Sequence, residues 1–496
     1  MNYEKIVESL IEELPRKRWW PWKGERREPK IVSFEEIDNG FIIVFSARDK
    51  LFYLPLIKVE KIPRKLRERS FRIGDNYFIE AEYTPKYIEL LDKSENVVVE
   101  ELVSIKGKPI KVEPLSVETT NAVAEHELDT GSSVIVKSYR MLSPVGLEPR
   151  ILKHLMEKGF RYIPRLYRVY RYRVSSREYY ISIITEKIGG IEDGGKPFYD
   201  VIVKYLKSIE GKPKAYEASL PSLALRLANI IADMHVKLNP GISAEFFGVE
   251  EIRERDVTEW SRRMRKRADL ISEKLENLII DSSGTEKQFY EYWFSVFNKK
   301  ISGVISRAET SLDVFVGTYK ARIHQDLHLQ QMRYIPETRD FIITDFEGEP
   351  LRSDEELVAK EPLVRDLATM ATSFYYLAFM AYKDGRGIKS LHKIGVALIK
   401  QKAHFIWEWA SRHSLYLVLK YSYITLPKNI GVDLFNYGDK PLTKYYHIYV
   451  PPWIVERALY EAVYELSYRP EWVVVPLTGL LNMPIPFPPS VIQPSG

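Results

Sequence analysis

Two carboxylates and an amide lie close together in one short stretch of this chain. A run that reads His-Gln-Asp-Leu-His-Leu-Gln-Gln begins at His324, and Asp-Phe-Glu-Gly-Glu follows from Asp345. Magnesium is a hard cation that prefers oxygen ligands and usually takes only one or two of them from protein. Gln331 and Asp345 are therefore a candidate magnesium pair, and Asp326 is a candidate for accepting the proton of a reacting hydroxyl.

The chain between these groups is expected to fold back on itself. Met332–Ile335 and Phe341–Thr344 are apolar and β-branched enough to predict two strands, and Pro336–Asp340 between them has turn chemistry. Such a hairpin would return the second carboxylate close to the amide. Asp326 and Gln331 are also five residues apart, which is the interval between the catalytic Asp and the magnesium-binding amide of protein kinases. The spacing predicts magnesium-dependent phosphoryl transfer from ATP.

The histidines of this stretch allow another interpretation. His324, Asp326 and His328 alternate, so on a strand they would share one face and could bind zinc. That interpretation leaves Gln331 unexplained, and His324 is better explained as a structural histidine beneath the loop. His328 is a candidate for assisting at the acceptor hydroxyl. His235 lies beside an apolar stripe with helical spacing and is predicted to be a core or buttressing residue.

The pattern His-x-Asp-x-His-x-x-Gln, followed by Asp-Phe-Glu-Gly-Glu-Pro, resembles the maltokinase family, a branch of the aminoglycoside-phosphotransferase-like sugar kinases. Three further segments are similar in the same order: Leu14–Gly24, Lys360–Met370 and Tyr460–Trp472. The resemblance implies an α+β, bilobal protein-kinase-like fold with an N-terminal β-rich cap and a large helical C-lobe. It also implies ATP and Mg2+ as cofactors and maltose as the acceptor, with maltose 1-phosphate as the product.

The chain departs from kinase patterns in two places. Gln325 stands where the family usually has Gly, although protein kinases carry Arg there, so a bulky side chain is compatible with catalysis. The chain also lacks the Gly-x-Gly-x-x-Gly loop that covers the phosphates in protein kinases. Residues 118–122 resemble the family's Ser-Asn loop instead, in which Thr120 and Asn121 would cap phosphate; a simple polar turn is the alternative.

A second group of residues forms the candidate nucleotide site. An apolar run after a Gly turn predicts a strand that carries Lys137 near its end, like the Val-Ala-Ile-Lys strand of kinases. By resemblance Lys137 would contact the α- and β-phosphates. Its acidic partner would be Glu148, with Glu157 as the alternative. The adenine would meet the backbone of two residues, Glu186 and Lys187.

A near match to a phosphate-binding Walker loop follows at Gly190–Pro197. Pro197 replaces the Ser or Thr that would contact magnesium, and it also removes a backbone donor. We therefore interpret this stretch as the hinge and the start of the second lobe, where Asp193-Gly194 resembles the family's Asp-Gly-Trp.

The candidate acceptor site lies near the C-terminus. A sugar kinase must hold a neutral polyhydroxyl ring by directional hydrogen bonds, often above an apolar platform. By resemblance, five side chains would line the acceptor groove near the catalytic Asp: Tyr460, Tyr464, Glu465, Arg469 and Trp472. The four-residue spacing of the two tyrosines is equally compatible with an aromatic core stripe.

Composition excludes several classes of protein. The 496 residues are 45% hydrophobic and 28% charged, which is ordinary for a globular protein, and the net charge of +5 includes no long basic run. The nearest candidate for nucleic-acid binding, Ser261–Arg267, is interpreted as a solvated helix face. The absence of cysteine excludes disulfides and thiolate sites. Together with abundant Glu, Lys, Arg and Tyr, it favours a thermophilic source.

Neither a membrane span nor a targeting segment is predicted. The longest apolar stretch, Phe374–Tyr382, is far shorter than the roughly 20 residues that span a bilayer. Residues 1–14 carry charges throughout and lack the apolar centre of a signal peptide. We expect a cytoplasmic protein whose partner is a small sugar, with no nucleic-acid or membrane partner.

Three parts are predicted along the chain. Residues 1–112 form an N-terminal cap, residues 113–188 a nucleotide-binding N-lobe, and residues 189–496 a mainly helical C-lobe with the catalytic loop and acceptor site. Long helices are predicted at four places: 285–307, 363–383, 390–420 and 453–468.

Three alternative functions remain open. The same motifs would serve a kinase for glucosamine or another monosaccharide. A pseudokinase would bind nucleotide and regulate an enzyme of glycan or trehalose metabolism, whereas a glycan-binding subunit would bind sugar without nucleotide. The intact Asp326, Gln331 and Asp345 favour an active enzyme. The sequence does not determine the oligomeric state.

Overall fold

A computed structural model describes most of the chain in two compact units. The described residues are 3–22, 25–115, 120–207, 220–385, 387–388, 391, 409–410, 412–414, 416–418, 420–421, 436–437 and 440–482. The first unit comprises residues 1–157 and 163–189, and the second comprises residues 158–162 and 190–496. Most of the helix predicted at 390–420 lies outside the described residues.

Antiparallel sheets dominate the first unit. Its helices and strands are α1 (Tyr3–Glu13), β1 (Lys30–Ile37), β2 (Gly40–Ala47), β3 (Lys50–Val59), β4 (Ser70–Ile73), β5 (Asn76–Glu80), α2 (Tyr87–Lys93), β6 (Val97–Glu101), β7 (Pro109–Pro114), β8 (Ala122–Leu128), β9 (Ser133–Ser138), α3 (Leu147–Glu157), β10 (Leu166–Val174) and β11 (Arg177–Glu186). One sheet has the order β1-β2-β3-β5-β4, and the other has the order β6-β10-β11-β9-β8-β7.

Strand β2 shows how the first sheet is buried on both faces. Side chains alternate across a strand, so neighbouring residues enter different cores. Phe41 and Phe45 pack in a cluster with residues of α1 and with Trp20, whereas Ile42 and Val44 pack in a cluster with residues of β9 and β11. This two-sided burial explains why the sequence of β2 is almost entirely apolar.

Strand β6 and most of strand β7 lie within residues 1–112, which were predicted to form the cap, but both strands belong to the second sheet. Strand β6 pairs with β10, and β7 pairs with β8. The predicted boundary at residue 112 falls inside β7. The division of this unit into a cap and a nucleotide lobe stays a prediction.

A buried ion pair joins the two sheets beside strand β9. Arg140 Nη2 lies 2.7 Å from Glu80 Oε2, and the same guanidinium contacts Glu82; all three side chains are buried. Glu80 also accepts a hydrogen bond from Trp19 Nε1 at 2.8 Å, and Glu82 accepts one from Ser138 Oγ at 2.9 Å. The end of β9 is thereby fixed to the N-terminal sheet.

Replacing Arg140 by methionine is expected to destabilise the protein by about 3–5 kcal/mol, because two carboxylates would remain buried without their cation. Urea unfolding would measure the loss. Arg173→Met is the matched control, since the Arg173 side chain is half exposed and pairs with Glu178 at 3.2 Å. The control should cost less than about 1 kcal/mol. Equal effects of the two substitutions would contradict the role given to Arg140.

Helices dominate the second unit. Its elements are β12 (Glu192–Asp193), α4 (Lys196–Lys207), α5 (Leu220–Leu238), β13 (Val249–Glu251), α6 (Glu254–Asp281), α7 (Gly284–Leu312), β14 (Tyr319–Ala321), β15 (Met332–Ile335), β16 (Asp340–Ile343), α8 (Asp354–Val358), α9 (Val364–Gly385), β17 (Asn436–Tyr437), β18 (Lys440–Pro441), α10 (Leu442–Tyr449), α11 (Pro451–Tyr468) and α12 (Val474–Asn482). Helices α7, α9 and α11 confirm three of the four predicted long helices.

The predicted hairpin is confirmed as β15 and β16, which pair in antiparallel register. Strand β12, which belongs to the near match to a Walker loop, pairs with β15 on the other side. Residues 158–162 belong to the second unit, although the residues on both sides of them belong to the first. They also contact this sheet, because Ile343 N–H donates to the carbonyl of Tyr162 at 2.7 Å. The second unit therefore depends on residues that precede its main segment in the chain.

The basic stretch on helix α6 is not wholly solvated. Arg263 and Arg267 are buried, so the predicted solvent-exposed face is wrong at these two positions. They are four residues apart and thus share one side of the helix, which turns toward buried carboxylates. None of the helices within the described residues has the length and apolarity that crossing a bilayer would require.

Candidate active site

One buried carboxylate, Asp366 of helix α9, holds the backbone at the start of the loop 324–331, which contains the predicted catalytic Asp. Its Oδ2 accepts the N–H of His324 at 2.8 Å, and its Oδ1 accepts the N–H of Gln325 at 3.0 Å. His235 Nε2 lies 3.0 Å from the same Oδ2, and its Nδ1 lies 2.7 Å from the hydroxyl of Tyr421. His235 is thus a buried buttress, as predicted, and these contacts fix the residues that precede Asp326.

Gln325 occupies the family's glycine position in a conformation that glycine would favour. Its φ is +74°, in the left-handed region that residues other than Gly rarely adopt. The side chain donates from Nε2 to the carbonyls of Leu357 at 2.8 Å and Ala359 at 3.1 Å, and its backbone carbonyl accepts from Arg365 Nη1 at 3.0 Å. These hydrogen bonds offset the unfavourable backbone angle.

Gln325→Gly is expected to be more stable than Gln325→Ala by about 1 kcal/mol, because alanine keeps the unfavourable φ while both variants lose the same side-chain hydrogen bonds. Urea midpoints of the two variants and the parent protein would show the order. Any phosphate transfer should change only a few-fold in Gln325→Gly, since the backbone contacts to Asp366 and Arg365 remain. Equal stability of the two variants would argue against a positive φ here.

Asp326 is held as a carboxylate. Its Oδ1 lies 2.8 Å from Arg457 Nη1, and its Oδ2 lies 3.6 Å from His328 Nε2. Burial alone would raise the pKa of Asp326, but Arg457 and then His328 outweigh that effect, so the pKa lies well below its usual range. The group is therefore suited to accept a hydrogen bond from a substrate hydroxyl.

The hairpin brings the two candidate magnesium ligands together. Gln331 Nε2 donates to Asp345 Oδ2 at 3.0 Å, although the two residues are 14 positions apart in the sequence. Thr344 N–H donates to the carbonyl of Gln331 at 2.9 Å, which closes the hairpin directly before Asp345. Asp345 has a φ of +62°, a conformation that Asp tolerates better than most residues. A carboxylate beside an amide fits the oxygen preference of magnesium.

His324 is structural, as predicted. It is fully buried, and burial lowers its pKa despite the nearby Asp366 and Asp326, so the ring is neutral. Its Nε2 lies 3.2 Å from the carbonyl of Thr344, and its Nδ1 accepts the N–H of Asp326 at 3.3 Å. Because the carbonyl and the amide already occupy both ring nitrogens, this arrangement does not suit the alternative zinc site.

An arginine cluster of eight buried residues underlies the loop. Its members are Arg263, Arg267, Arg352, Arg365, Arg457, Glu349, Glu361 and Glu456. Helices α6, α9 and α11 supply five of them, and the stretch between β16 and α9 supplies the other three. Two representative contacts are Arg365 Nη2 to Glu349 Oε1 at 2.7 Å and Arg263 Nη1 to Glu361 Oε1 at 2.8 Å. The arginine cluster joins the loop 324–331 to helix α11, which carries predicted acceptor residues.

The predicted acceptor residues divide into buried and accessible members. Tyr460 and Glu465 are buried, whereas Tyr464 and Trp472 are partly exposed and Arg469 is exposed. Burial raises the pKa of Glu465 to about 7, although Arg469 lies 2.9 Å away and opposes the shift. The guanidinium of Arg469 lies 5.6 Å from the centre of the Trp472 ring, within cation–π range.

Tyr460 lies against the arginine cluster. The guanidinium carbons of Arg457 and Arg267 lie 4.9 and 5.0 Å from the centre of its ring. Its hydroxyl is buried without a hydrogen-bond partner among the described residues. A buried hydroxyl without a partner is unfavourable, so this group is available to bond a bound polyol.

In the first unit, two candidate nucleotide residues form a close ion pair. Lys137 Nζ lies 2.7 Å from Glu148 Oε2, which also accepts a hydrogen bond from Tyr139 Oη at 2.9 Å. Helix α3, which carries Glu148, begins directly after Gly146. A Cβ at Gly146, where φ is +53°, would lie 2.1 Å from the ring of Tyr180, so glycine is required where this helix begins.

The remaining candidate nucleotide residues have simple local contacts. Asn121 Oδ1 accepts the N–H of Arg140 at 3.3 Å, and Thr120 is exposed. Glu186 N–H donates to the carbonyl of Arg165 at 2.8 Å, and Lys187 pairs with a neighbouring carboxylate on β8. Residues 118–119 of the same loop lie outside the described residues. The nucleotide-binding roles of these residues stay predictions.

Comparison with known structures defines the fold. Two structures match over nearly the full length of both chains. "Glucosamine kinase in complex with glucosamine, ADP and inorganic phosphate" has a TM-score of 0.58 and 16% identity, and the match covers 97% of this chain and 98% of that one. "Glucosamine kinase (crystal form B)" has a TM-score of 0.59 and 16% identity, and the match covers 97% of this chain and 99% of that one. No family profile matches the sequence. The chain therefore has an α+β, protein-kinase-like fold, and the fold class predicted from the sequence is confirmed. Glucosamine kinase is what it resembles in architecture.

Proposed function

We propose that this protein is an ATP- and magnesium-dependent sugar kinase. The observation that carries the proposal is the hydrogen bond between Gln331 and Asp345 in the hairpin that follows Asp326. Magnesium-dependent phosphoryl transfer needs one fixed carboxylate for the acceptor hydroxyl. It also needs oxygen ligands for magnesium, which an adjacent amide and a second carboxylate can supply. The full-length likeness in fold to glucosamine kinase supports the same reaction class.

Asp326 would orient the acceptor hydroxyl in this proposal. Its low pKa makes it a weak base, so it would mainly align the hydroxyl by accepting its hydrogen bond. That is sufficient for phosphoryl transfer, because the transition state is loose and positioning supplies most of the catalysis. As the new O–P bond forms and the bond to ADP breaks, Asp326 would take the hydroxyl proton and release it to water. His328 lies 3.6 Å from Asp326 and would assist at the same hydroxyl.

Each charged part of the nucleotide has a proposed partner. Gln331 and Asp345 would hold magnesium, which supplies positive charge for the phosphate oxygens. Lys137 would bind phosphate oxygens, and its contact with Glu148 would keep its side chain in place. By resemblance, two loop residues, Thr120 and Asn121, would cap phosphate, and the backbone of residues 186–187 would contact the adenine.

Maltose is the proposed acceptor, phosphorylated at its anomeric hydroxyl. The resemblance of the catalytic motif and the C-terminal segment to maltokinases supports this choice. Tyr464 and Trp472 offer partly exposed rings on which a sugar could pack, and the hydroxyl of Tyr460 offers a buried hydrogen-bonding group. Glucosamine is the second candidate, because a structure that matches 97% of this chain is a glucosamine kinase in complex with glucosamine.

Phosphate transfer from ATP to a panel of acceptors would test the proposal. The panel contains maltose, glucosamine, glucose and trehalose, with Asp326→Asn beside the parent protein in each assay. We expect a phosphorus–carbon coupling in the NMR spectrum of the product that places phosphate on the anomeric carbon of maltose. Transfer to glucosamine alone would keep the kinase and change the acceptor. ATP binding without transfer to any acceptor would favour the pseudokinase and overturn the proposal.

A further inference from the structure

We propose that Arg457 is a positioning residue for phosphoryl transfer. It fixes the position of the Asp326 carboxylate relative to helix α11, which carries proposed acceptor residues. The inference rests on the proposed function. Arg457 lies on helix α11, 131 positions after Asp326 in the sequence, and none of the sequence motifs described above assigns it a role. It is one of the buried members of the arginine cluster.

Three carboxylates from three parts of the chain meet at Arg457. Its Nη1 lies 2.8 Å from Asp326 Oδ1 and 2.7 Å from Glu349 Oε1. Its Nη2 contacts Glu461, one turn later on the same helix. The planar guanidinium presents donors in fixed directions, whereas a lysine would offer one flexible point charge. The position of Asp326 is therefore set relative to α11 by geometry as well as by charge.

Charge balance in the arginine cluster gives Asp326 a second constraint. The cluster contains five arginines and three glutamates, which leaves two positive charges. Asp326 and Glu461, both in contact with Arg457, supply two negative charges. The buried group is neutral only when Asp326 is ionised, and burying net charge is unfavourable. The cluster therefore favours the ionised form of Asp326, which can accept the proton of a hydroxyl as well as its hydrogen bond.

Other charged and titratable groups also face Asp326. His324 and His328 approach from its own loop, Arg365 and Asp366 approach the preceding backbone from α9, and Tyr460 lies beside Arg457 on α11. Burial favours the neutral acid, and Arg457 is the strongest opposing influence on the pKa of Asp326. Without Arg457 the pKa of Asp326 should rise. The carboxylate would then be lost at a higher pH as the solution is acidified.

Arg457→Gln and Arg457→Lys test this role, and Arg267→Gln is the matched control. Arg267 is also buried in the cluster and also lies against Tyr460, but its ion-pair partners are Glu349 and Glu456. We expect Arg457→Gln to lower kcat for the accepted sugar about tenfold or more. The pKa of Asp326 should rise, so activity should be lost at a higher pH on the acidic side of the profile than in the parent protein. The KM for ATP should stay within about twofold, and the lysine variant should recover part of the pH shift. Arg267→Gln removes one positive charge from the same cluster but no contact with Asp326, so its shift of the pH profile should be clearly smaller than that of Arg457→Gln.

A superimposable pH profile for Arg457→Gln and the parent protein would overturn the inference, as would an equal shift in Arg267→Gln.

A carboxyl titration separates this inference from the proposed function. The full chain is labelled with 13C at aspartate carboxyls, and Asp326→Asn assigns the resonance. If the parent protein transfers no phosphate, the proposed function fails, yet the titration still reports on Arg457. Asp326 should titrate at a higher pH in Arg457→Gln, and identical titrations would exclude control by Arg457.

Discussion

Asp326→Asn is expected to lower kcat for phosphate transfer by about 10³-fold. Asparagine keeps the shape of the side chain but cannot take a proton, and its amide would place a donor toward either Arg457 or the substrate hydroxyl. ATP affinity should hardly change, because Asp326 is not among the residues proposed to bind the nucleotide or magnesium. Steady-state assays and nucleotide titration would measure both quantities.

Asp313→Asn is the control for a generic loss of an aspartate. Asp313 is exposed after helix α7, and it is expected to tolerate the same substitution with unchanged kcat. A variant of Asp326 that retained more than about a tenth of the parent activity would show that the hydroxyl is aligned by another group. His328 would then be the first residue to replace, since it lies 3.6 Å from Asp326.

Asp366→Asn is expected to cost about 3–5 kcal/mol of stability and to lower kcat about 100-fold. Asp366 accepts the N–H groups of His324 and Gln325 and also contacts His235, and it is fully buried. In asparagine one of the two oxygens becomes an NH2 donor, so at least one buried donor would face another donor. The backbone before Asp326 would move, and small displacements of reacting groups are costly.

Urea unfolding and kcat would be measured on the same preparations of Asp366→Asn and of Asp384→Asn. Asp384 lies near the end of the same helix, where it is exposed and accepts a hydrogen bond from Tyr199 Oη at 2.7 Å. Its substitution should cost less than about 1 kcal/mol and leave kcat unchanged. Loss of stability without loss of kcat in Asp366→Asn would mean that the loop does not depend on this carboxylate.

The local part of the site could be predicted from the sequence. Strand propensity and the turn between the strands of the hairpin placed Asp345 near Gln331, and the structure has these side chains 3.0 Å apart. The helical spacing of apolar residues predicted α7, α9 and α11 to within a few residues. Such features depend on neighbours in the chain, so a single sequence contains the information for them.

Distant contacts could not be predicted in this way. Asp366 contacts His324 across 42 positions of the sequence, and Arg457 contacts Asp326 across 131. Hydrophobic periodicity and turn residues give no information about contacts between residues so far apart in the chain. Arg263 and Arg267 were expected to face water because arginine is usually exposed, but carboxylates from other elements compensate them inside the protein. Burial of charge depends on partners that only the folded chain brings together.

The excursion at residues 158–162 has a practical consequence for dissecting this protein. The polypeptide passes between the two units three times, so no single cleavage can release either unit with all of its parts. A fragment beginning at Gly190 would lack Tyr162, whose carbonyl accepts the N–H of Ile343 two residues before Asp345. Expression of the second unit by itself would therefore require a permuted gene that includes residues 158–162, rather than a simple truncation.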